Sequence, residues 1–222
     1  GQMSFVKHAV FVGEDAPNLS DYDALTEYIL NRFGDKSLLI SEGVCDQLDH
    51  ASPNSCFGGK LGIDATQDFS TPAPVLLDDA ALLAKFKEVD QNLTQLVQFK
   101  TNTKTPICVV KFDKNRLVKE VFDELLKFKE YFKLLAFVGC ENRLENPYML
   151  LWRVTNNIDA LRDIYVREGA VCIDATAKGE AEGYTRGWPL QTDCDREVIV
   201  DLVRRGIVKD EPGLFSKFEI FG

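Results

Sequence analysis

Few residues in this sequence have the types and spacing that support chemistry. A Gly58-Gly59-Lys60 run combines successive backbone N–H groups with an ammonium group, which suits the binding of phosphate. The P-loop pattern requires Gly and Ser or Thr at two positions that Asn54 and Leu61 occupy here. Because glycine-rich turns are common, the simpler interpretation of this run is a plain loop.

The word Ile-Asp-Ala-Thr occurs twice, at residues 63–66 and 173–176. Both copies follow apolar stretches that predict strands. An Asp after a strand usually accepts hydrogen bonds from nearby backbone N–H groups and shapes the turn. Asp64 and Asp174 are therefore predicted to be structural, and contact with another domain or a partner subunit is the alternative.

A charged loop with one aromatic side chain follows the second copy of the word. It contains Lys178, Glu180, Arg186 and Trp188. Arg and Trp are enriched at protein interfaces, but a salt-bridged surface loop around a half-buried Trp has the same composition. Both interpretations stay open. Lys60, the two aspartates and this loop supply the candidate interdomain or interface contacts.

No catalytic, cofactor-binding or metal-ligating residue is predicted. His8 and His50 are the only histidines, and their spacing does not suit a zinc site. Glu14-Asp15 follows a predicted strand, as the acidic pocket of a receiver domain does. No suitable phospho-acceptor strand and later lysine follow, so a receiver domain is not favoured.

The composition limits the classes of partner. The 222 residues carry 26 Lys and Arg against 35 Asp and Glu, a net charge of -9, which disfavours non-specific nucleic-acid binding. The six cysteines include no CxxC pair and several lie in apolar runs, which predicts a reduced, cytoplasmic chain. No apolar run is long enough to predict a membrane span. The chain enters a strand almost at once, which indicates a domain of a longer protein.

Hydrophobic periodicity predicts the same series of elements twice. A strand at 6–13 leads through an acidic turn to a helix at 22–33 and strands at 37–41 and 60–65. A strand at 133–139 likewise leads to a helix at 148–158 and strands at 163–168 and 170–176. We predict an internal duplication and a layered α/β fold, in which a mixed sheet flanked by helices is built from two related strand-helix-strand units.

The predicted domains are a first unit at 1–74, an inserted segment at 75–132 and a second unit at 133–222. The insert contains predicted strands at 93–99 and 107–112 and a long amphipathic helix at 115–132. The apolar tail at 211–222 is expected to cover its own core or a neighbouring subunit.

Three longer motifs surround the repeated word. The first copy contains "GGKLGIDAT", and the second contains "LLWRVTNNIDALRD" and "CIDATAKGEAEGYTRGWP". As a set, they resemble the C-terminal region of UbiD-type decarboxylases over most of the chain except roughly 75–130. The residues that match the family motifs are Leu151, Trp152, Asp159, Arg162, Asp163, Lys178, Arg186, Trp188 and Pro189.

The resemblance implies a parent enzyme that uses prenylated FMN and a divalent metal. Such a parent would decarboxylate an aromatic quinone precursor in ubiquinone or menaquinone biosynthesis. The family's catalytic Arg-Glu-Glu set and its cofactor ligands lie upstream of the matched motifs, so none is assigned here. The resemblance also implies an assembly and active-site-closing role, against the upstream catalytic domain of the same chain and within a homo-oligomer.

Two other functions remain open at this point. An acidic, site-poor sequence with an apolar tail is also typical of a non-catalytic binding or oligomerisation module. The strand-turn-helix units with Gly58-Gly59-Lys60 are also compatible with a flavodoxin-like ligand-binding domain.

Overall fold

The computed structural model describes residues 5–190, 195–209, 211 and 213. Cys194 and the apolar residues of the tail lie outside the described residues. The strands are β1 (His8–Val12), β2 (Leu38–Val44), β3 (Phe57–Ala65), β4 (Leu93–Phe99), β5 (Ile107–Phe112), β6 (Leu134–Val138), β7 (Ile164–Arg167) and β8 (Ala170–Asp174). The helices are α1 (Tyr22–Leu30), α2 (Asp79–Lys87), α3 (Val118–Leu125), α4 (Pro147–Asn157), α5 (Ala160–Asp163) and α6 (Arg196–Arg204). None of the helices in the described part has the length and apolar character of a membrane span.

The predicted layered α/β fold is confirmed, with two mixed sheets in place of one. The smaller sheet has the order β1-β3-β2, with β1 parallel and β2 antiparallel to β3. The larger sheet has the order β4-β5-β6-β8-β7, with β6 parallel and β7 antiparallel to β8. The strands β6-β8-β7 therefore repeat the pairing of β1-β3-β2.

The strand registers show the same duplication residue by residue. Ile63 pairs with Val10 and Leu38 on its two neighbouring strands. Its equivalent, Ile173, pairs with Ala136 and Ile164 at the corresponding positions. We refer to residues 8–65 as the first unit and to residues 134–174 as the second unit.

A glycine and an acidic residue end the first strand of both units in the same way. A Cβ atom on Gly13 would lie 2.7 Å from Oδ1 of Asp15, and one on Gly139 would lie 2.2 Å from Oε2 of Glu141. In each unit, the carboxylate two residues later folds back over the glycine. The glycine at the end of the strand has no side chain, which leaves room for this carboxylate.

The segment between the units extends the larger sheet. β4 pairs antiparallel with β5, and β5 pairs parallel with β6. The predicted helix at 115–132 is shorter than expected, because α3 ends at Leu125 and a 3-10 helix continues over Leu126–Tyr131. The Lys85 ammonium group lies over the Phe128 and Tyr131 rings of this 3-10 helix, 5.4 and 5.1 Å from their centroids.

Side-chain oxygens cap several of the helices. Asp21, Asp78 and Asn146 accept hydrogen bonds from backbone N–H groups in the first turns of α1, α2 and α4. Pro147 occupies the first position of α4, where its missing N–H has no helical partner to lose.

The core joins the two units. One apolar cluster lies between α2, α3 and one face of the larger sheet. A second cluster contains side chains of both units, including the equivalent pairs Leu61 with Val171 and Leu38 with Ile164. Burial of both members of these pairs in one cluster places the same surface of each unit against the other.

Candidate functional site at the junction of the units

Four segments meet where the two units join, and we call this region the junction. The first unit contributes loop 45–56 and the beginning of β3. The second unit contributes α5, and loop 175–190 follows β8 to complete the region. Most of the polar residues that the sequence motifs pointed to lie here.

Asp159 connects the two units directly. It caps α5 by accepting a hydrogen bond from the Leu161 N–H at 3.1 Å. Its other carboxylate oxygen accepts a hydrogen bond from the Gly59 N–H at 2.7 Å. The Gly-Gly run therefore lies in a strand and binds an anion of its own chain.

The close contact of α5 and loop 45–56 with β3 requires glycine at positions 58 and 59. A Cβ atom on Gly59 would lie 2.5 Å from both Asp159 Oδ1 and the Leu161 backbone nitrogen. A Cβ atom on Gly58 would lie 2.0 Å from Ser52 Oγ. Real Cβ atoms do not come this close to their neighbours, so α5 and loop 45–56 can pack on β3 only where side chains are absent.

A buried ionic network lies behind Asp159. Arg162 donates two hydrogen bonds of 2.7 Å to the Asp163 carboxylate, which also accepts one from the Asp159 N–H at 2.8 Å. Lys178 lies 3.0 Å from Asp174 Oδ1 and 3.9 Å from Asp163 Oδ1. The Lys178 side chain has 0% exposure, so these two aspartates are its ionic partners in place of water.

Burial shifts the titration of this network. It lowers the pKa of the Lys178 ammonium group and raises the pKa of the Asp163 carboxyl, because a buried environment disfavours the charged form of each. Asp174 and the backbone oxygens of Asp174 and Thr176 compensate by accepting hydrogen bonds from Lys178 Nζ.

The repeated word forms the same turn in both units. Asp64 accepts hydrogen bonds from the N–H and hydroxyl of Thr66 at 2.9 and 2.6 Å. Asp174 accepts the corresponding bonds from Thr176 at 3.0 and 2.6 Å. Thr66 holds the pKa of the Asp64 carboxyl below its usual value through its hydroxyl and its N–H. Both aspartates shape the turns that follow their strands.

Three aromatic rings form one side of the junction. The Trp188 ring makes edge contacts with His50 and Tyr184, each at a centroid distance of 5.1 Å. Lys178 Nζ lies 5.7 Å from the Trp188 centroid, and Arg162 Cζ lies 5.4 Å from the Tyr184 centroid. The rings pack against the buried cations of the network.

Loop 45–56 is held to the second half of the chain by backbone acceptors. Arg186 Nη1 donates to the carbonyl oxygens of Asp49 and Ser52 at 3.1 and 2.8 Å. The Tyr184 hydroxyl donates to the His50 carbonyl oxygen at 2.6 Å. Arg186 and Trp188 thus contact the first unit of the same chain, a role not assigned to them from the sequence.

The six candidate contact residues divide into two groups. Asp174, Lys178, Arg186 and Trp188 lie at the junction. Asp64 lies at the opposite end of β3. Lys60 lies on the sheet, where its Nζ donates to the Val6 carbonyl oxygen at 2.8 Å. Whether any of them contacts another domain or subunit stays a prediction.

The sequence interpretation missed other residues of the junction. Asp159, Arg162 and Asp163 were recognised as motif residues, but they were not placed opposite the Gly-Gly run. Asp49 and Tyr184 were not singled out. For Asp159, the motif itself carried the signal, since an acid before a short helix is a typical cap. For Tyr184, the sequence carried no such signal.

The arrangement is structural in its chemistry. No group of three His, Cys, Asp or Glu residues in the described part of the chain is placed to hold a metal ion. The Cys108 and Cys172 thiols are poor nucleophiles, because burial raises their pKa values well above the ordinary value. The polar groups of the junction bond to one another, and the Gly59–Asp159 bond joins the two units.

Comparison with known proteins agrees with the motifs of the first unit. Residues 1–65 match the model of the 3-octaprenyl-4-hydroxybenzoate carboxy-lyase C-terminal domain, UbiD_C. The matched residues include the Gly-Gly run and the first three residues, 63–65, of the first Ile-Asp-Ala-Thr word. The second unit repeats the topology of this UbiD-type unit.

Curated relatives are much longer than this chain. An uncharacterized protein of Helicobacter pylori strain ATCC 700392 / 26695 is 51% identical over 222 residues, which cover 99% of this chain and 36% of that protein. A protein of strain J99 / ATCC 700824 is also 51% identical, with the same coverage. The chain spans about a third of the length of the curated relatives it matches.

Solved structures of UbiD-class enzymes show a distant likeness. Vanillic acid decarboxylase of Sedimentibacter hydroxybenzoicus in its open form, with a truncated second component, is 18% identical at a TM-score of 0.46, over 58% of this chain and 32% of that chain. An evolved dimeric form of HmfF from Pelotomaculum thermopropionicum, in complex with prFMN, is 17% identical at a TM-score of 0.42, over 62% of this chain and 27% of that chain.

Proposed function

We propose that this chain is the C-terminal assembly and active-site-closing part of a UbiD-type carboxy-lyase. The parent acts in the cytoplasm on an aromatic quinone precursor in ubiquinone or menaquinone biosynthesis. The match of residues 1–65 to the carboxy-lyase C-terminal domain carries this proposal. The length of the relatives supports it, since about two thirds of each relative lies outside the matched region.

In this proposal the catalytic residues and the binding site for prenylated FMN and a divalent metal belong to the rest of the parent. Prenylated FMN supplies the decarboxylation chemistry when it is bound in the rest of the parent. The residues described here contribute a rigid two-unit body. The Gly59–Asp159 bond joins its two sheets, and the buried Lys178 network lies behind Asp159.

A binding and oligomerisation role without a catalytic parent is the second candidate. The observation that favours it is an apolar face on the smaller sheet that the described residues leave exposed, where Phe11 and Leu39 are both 50% exposed. The flavodoxin-like hypothesis loses its supporting feature, since Gly59 N–H already binds Asp159.

The experiment compares the full-length parent with a version that lacks the residues of this chain. We expect the shortened parent to retain the flavin absorbance of bound cofactor and to lose most of its turnover. Loss of the flavin with the deletion, or full turnover without this chain, would contradict the proposal.

A point variant of the full-length parent controls for the possibility that the shortened parent misfolds. Trp188→Ala in the full-length parent loosens the aromatic side of the junction and leaves the chain length unchanged. We expect unaltered flavin content with a lower kcat. Tyr22→Ala, at an exposed position of α1 outside the family motifs, is the matched control and is expected to keep the wild-type kcat.

A further inference from the structure

Two cysteines stand opposite each other at the base of loop 45–56. The ladder between β2 and β3 ends with the pair Val44 and Phe57. Cys45 and Cys56 continue this register by one step, and the Cys45 N–H donates a hydrogen bond of 2.9 Å to the Cys56 carbonyl oxygen. The loop therefore begins and ends at a cysteine, and the backbones of these two residues are bonded to each other.

The separation of these two residues suits a disulfide bond. Opposed residues that share backbone hydrogen bonds in an antiparallel pair have Cα atoms about 5.5 Å apart. Disulfides join cysteines whose Cα atoms are roughly 4.4–6.8 Å apart. The backbone hydrogen bond thus holds Cys45 and Cys56 at a separation that a disulfide can bridge.

The cysteines of the larger sheet show the contrast. Cys108 of β5 and Cys172 of β8 both pair with Leu135, which lies on the strand between them. Because neighbouring strands are about 4.8 Å apart, the Cα atoms of these cysteines are roughly 10 Å apart. Cysteines more than about 7 Å apart cannot be bridged without movement of the backbone.

The two thiols at the base of the loop are free, and they differ in access. Cys45 is 1% exposed, and its Sγ lies 3.7 Å from the Gly43 carbonyl oxygen. Cys56 is exposed, and its Sγ lies 3.6 Å from the Ser55 hydroxyl. Cys56 also has a φ of 63°, in the left-handed region that residues other than glycine seldom adopt. An accessible thiol beside a second cysteine that can resolve it is typical of redox-sensitive pairs.

We propose that Cys45 and Cys56 form a reversible disulfide when the chain meets a small-molecule disulfide as oxidant. The Cys56 thiolate attacks one sulfur of the oxidant, whose S–S bond breaks, and one thiol leaves as a mixed disulfide forms. The Cys45 thiolate then attacks Cys56 Sγ, and the second thiol leaves. The two cysteines lose two protons and two electrons, and the oxidant is reduced to two thiols.

The disulfide acts on the junction, because loop 45–56 makes its contacts there. Asp49 of the loop pairs with Lys7, and its carbonyl oxygen accepts a hydrogen bond from Arg186. A crosslink at the base of the loop restricts the unfolded chain and therefore favours the folded junction. Reversible disulfides of this kind occur in reducing compartments as redox sensors. The inference does not depend on the decarboxylase function of the parent.

A redox titration of the full-length parent tests the proposal. The protein is equilibrated in buffers of reduced and oxidised glutathione, its free thiols are alkylated, and tryptic peptides are weighed by mass spectrometry. Residues 37–59 contain no Lys or Arg, so both cysteines fall in the peptide 37–60. As the share of oxidised glutathione rises, we expect this peptide to lose two hydrogen atoms and to escape alkylation.

The same titration in urea shows whether the fold favours the bond. We expect the equilibrium constant for the disulfide to be about tenfold or more larger in the folded protein than in the unfolded one, because the fold already holds the two ends of the loop together. We also expect the oxidised wild-type protein to unfold at a higher urea concentration than the reduced one.

Other cysteines of the chain serve as controls. We expect the peptides of Cys108 and Cys172 to be alkylated fully after denaturation at every glutathione ratio. Cys140 is exposed, as Cys56 is, and its uptake of glutathione reports access of the reagent. In Cys45→Ser, the reaction should stop at the mixed disulfide, so the peptide 37–60 gains one glutathione.

Three results would overturn the proposal. The first is a peptide 37–60 that keeps both thiols at ratios at which Cys140 already holds glutathione. The second is an equal or smaller equilibrium constant in the folded protein, and the third is an oxidised protein that unfolds at the same or a lower urea concentration. All three are measured on the wild-type protein and are independent of its decarboxylation assay.

Discussion

Gly59 is the residue at which the two units approach most closely. Gly59→Ala would place a methyl group against the Asp159 carboxylate and two backbone nitrogens of α5. Because backbone cannot rotate away as a side chain can, we expect a loss of unfolding free energy at the upper end of about 1–3 kcal/mol. Urea denaturation measures this loss.

Gly179→Ala is the matched control for that substitution. The closest atom to a Cβ at Gly179 is Glu182 Oε2 at 3.9 Å, an ordinary contact. We expect a change within about 0.5 kcal/mol. Equal effects of the two substitutions would contradict the close packing of α5 on β3.

Lys178 is the buried cation of the junction. Lys178→Ala leaves Asp174 without its ionic partner, and removal of one partner from a buried pair typically costs about 3–5 kcal/mol. We expect a loss of this size in the free energy of unfolding. Lys104→Ala removes an ion pair in which both side chains are about half exposed, and it should cost about 0–1 kcal/mol. A Lys178 variant as stable as the Lys104 variant would contradict the buried network.

The Asp49 carboxyl makes the stability of the junction depend on pH. Burial opposes its charge, but hydrogen bonds from Lys7 and Ser52 prevail and hold the pKa of the carboxyl below its ordinary value of 3.8. A carboxyl whose pKa is lower in the folded state than in the unfolded state stabilises the fold at pH values above its unfolded-state pKa. This stabilisation is lost as the pH falls through the folded-state pKa.

Asp49→Asn should therefore destabilise the protein at neutral pH by about 1–3 kcal/mol, because it removes hydrogen bonds to a charged group. The difference from wild type should shrink below pH 3.8. Thermal denaturation over a pH series measures it. A difference that stays constant down to the acid limit would show that the charge of Asp49 does not contribute.

The helix caps act at the scale of single elements. Asp78 accepts a 2.7 Å hydrogen bond from the Ala81 N–H at the start of α2. Asp78→Ala should cost about 1 kcal/mol, a typical value for the loss of a cap. Glu120→Ala, in the first turn of α3, removes an exposed acid that does not occupy the cap position, and should cost less. Equal losses in thermal unfolding would show that charge, and not the capping bond, is responsible.

Sequence patterns predicted the elements well, because their signals are local. The apolar run of β6 and the Asn146-Pro147 start of α4 contain in a few adjacent residues the features that define them. The end of α3 was missed. The residues beyond it continue the helical pattern of apolar positions, and they form a 3-10 helix whose Phe128 ring lies against Lys85 of α2.

The junction could be predicted only in part, because its contacts are distant in sequence. The Gly59–Asp159 bond spans 100 residues, and either residue alone has an ordinary local explanation. The Tyr184 bond to loop 45–56 spans 134 residues. Motif resemblance selected Lys178, Arg186 and Trp188, but only the folded chain shows that they contact its own first unit.

At the scale of the whole molecule, duplication explains the architecture. Two units with the same pairing pattern contribute equivalent side chains to one apolar cluster. The inserted strands and α3 then cover the second unit, and the first unit keeps an open face. Phe137 of the second unit is therefore buried, whereas Phe11 at the equivalent position of the first unit is 50% exposed.

The central claim is that this chain supports a carboxy-lyase without performing the reaction. The most direct test is a decarboxylation assay of the isolated chain with prenylated FMN, a divalent metal and a panel of aromatic acids, beside the full-length parent. We expect CO₂ release by the parent and none above background by the chain. Sustained turnover by the isolated chain would contradict it.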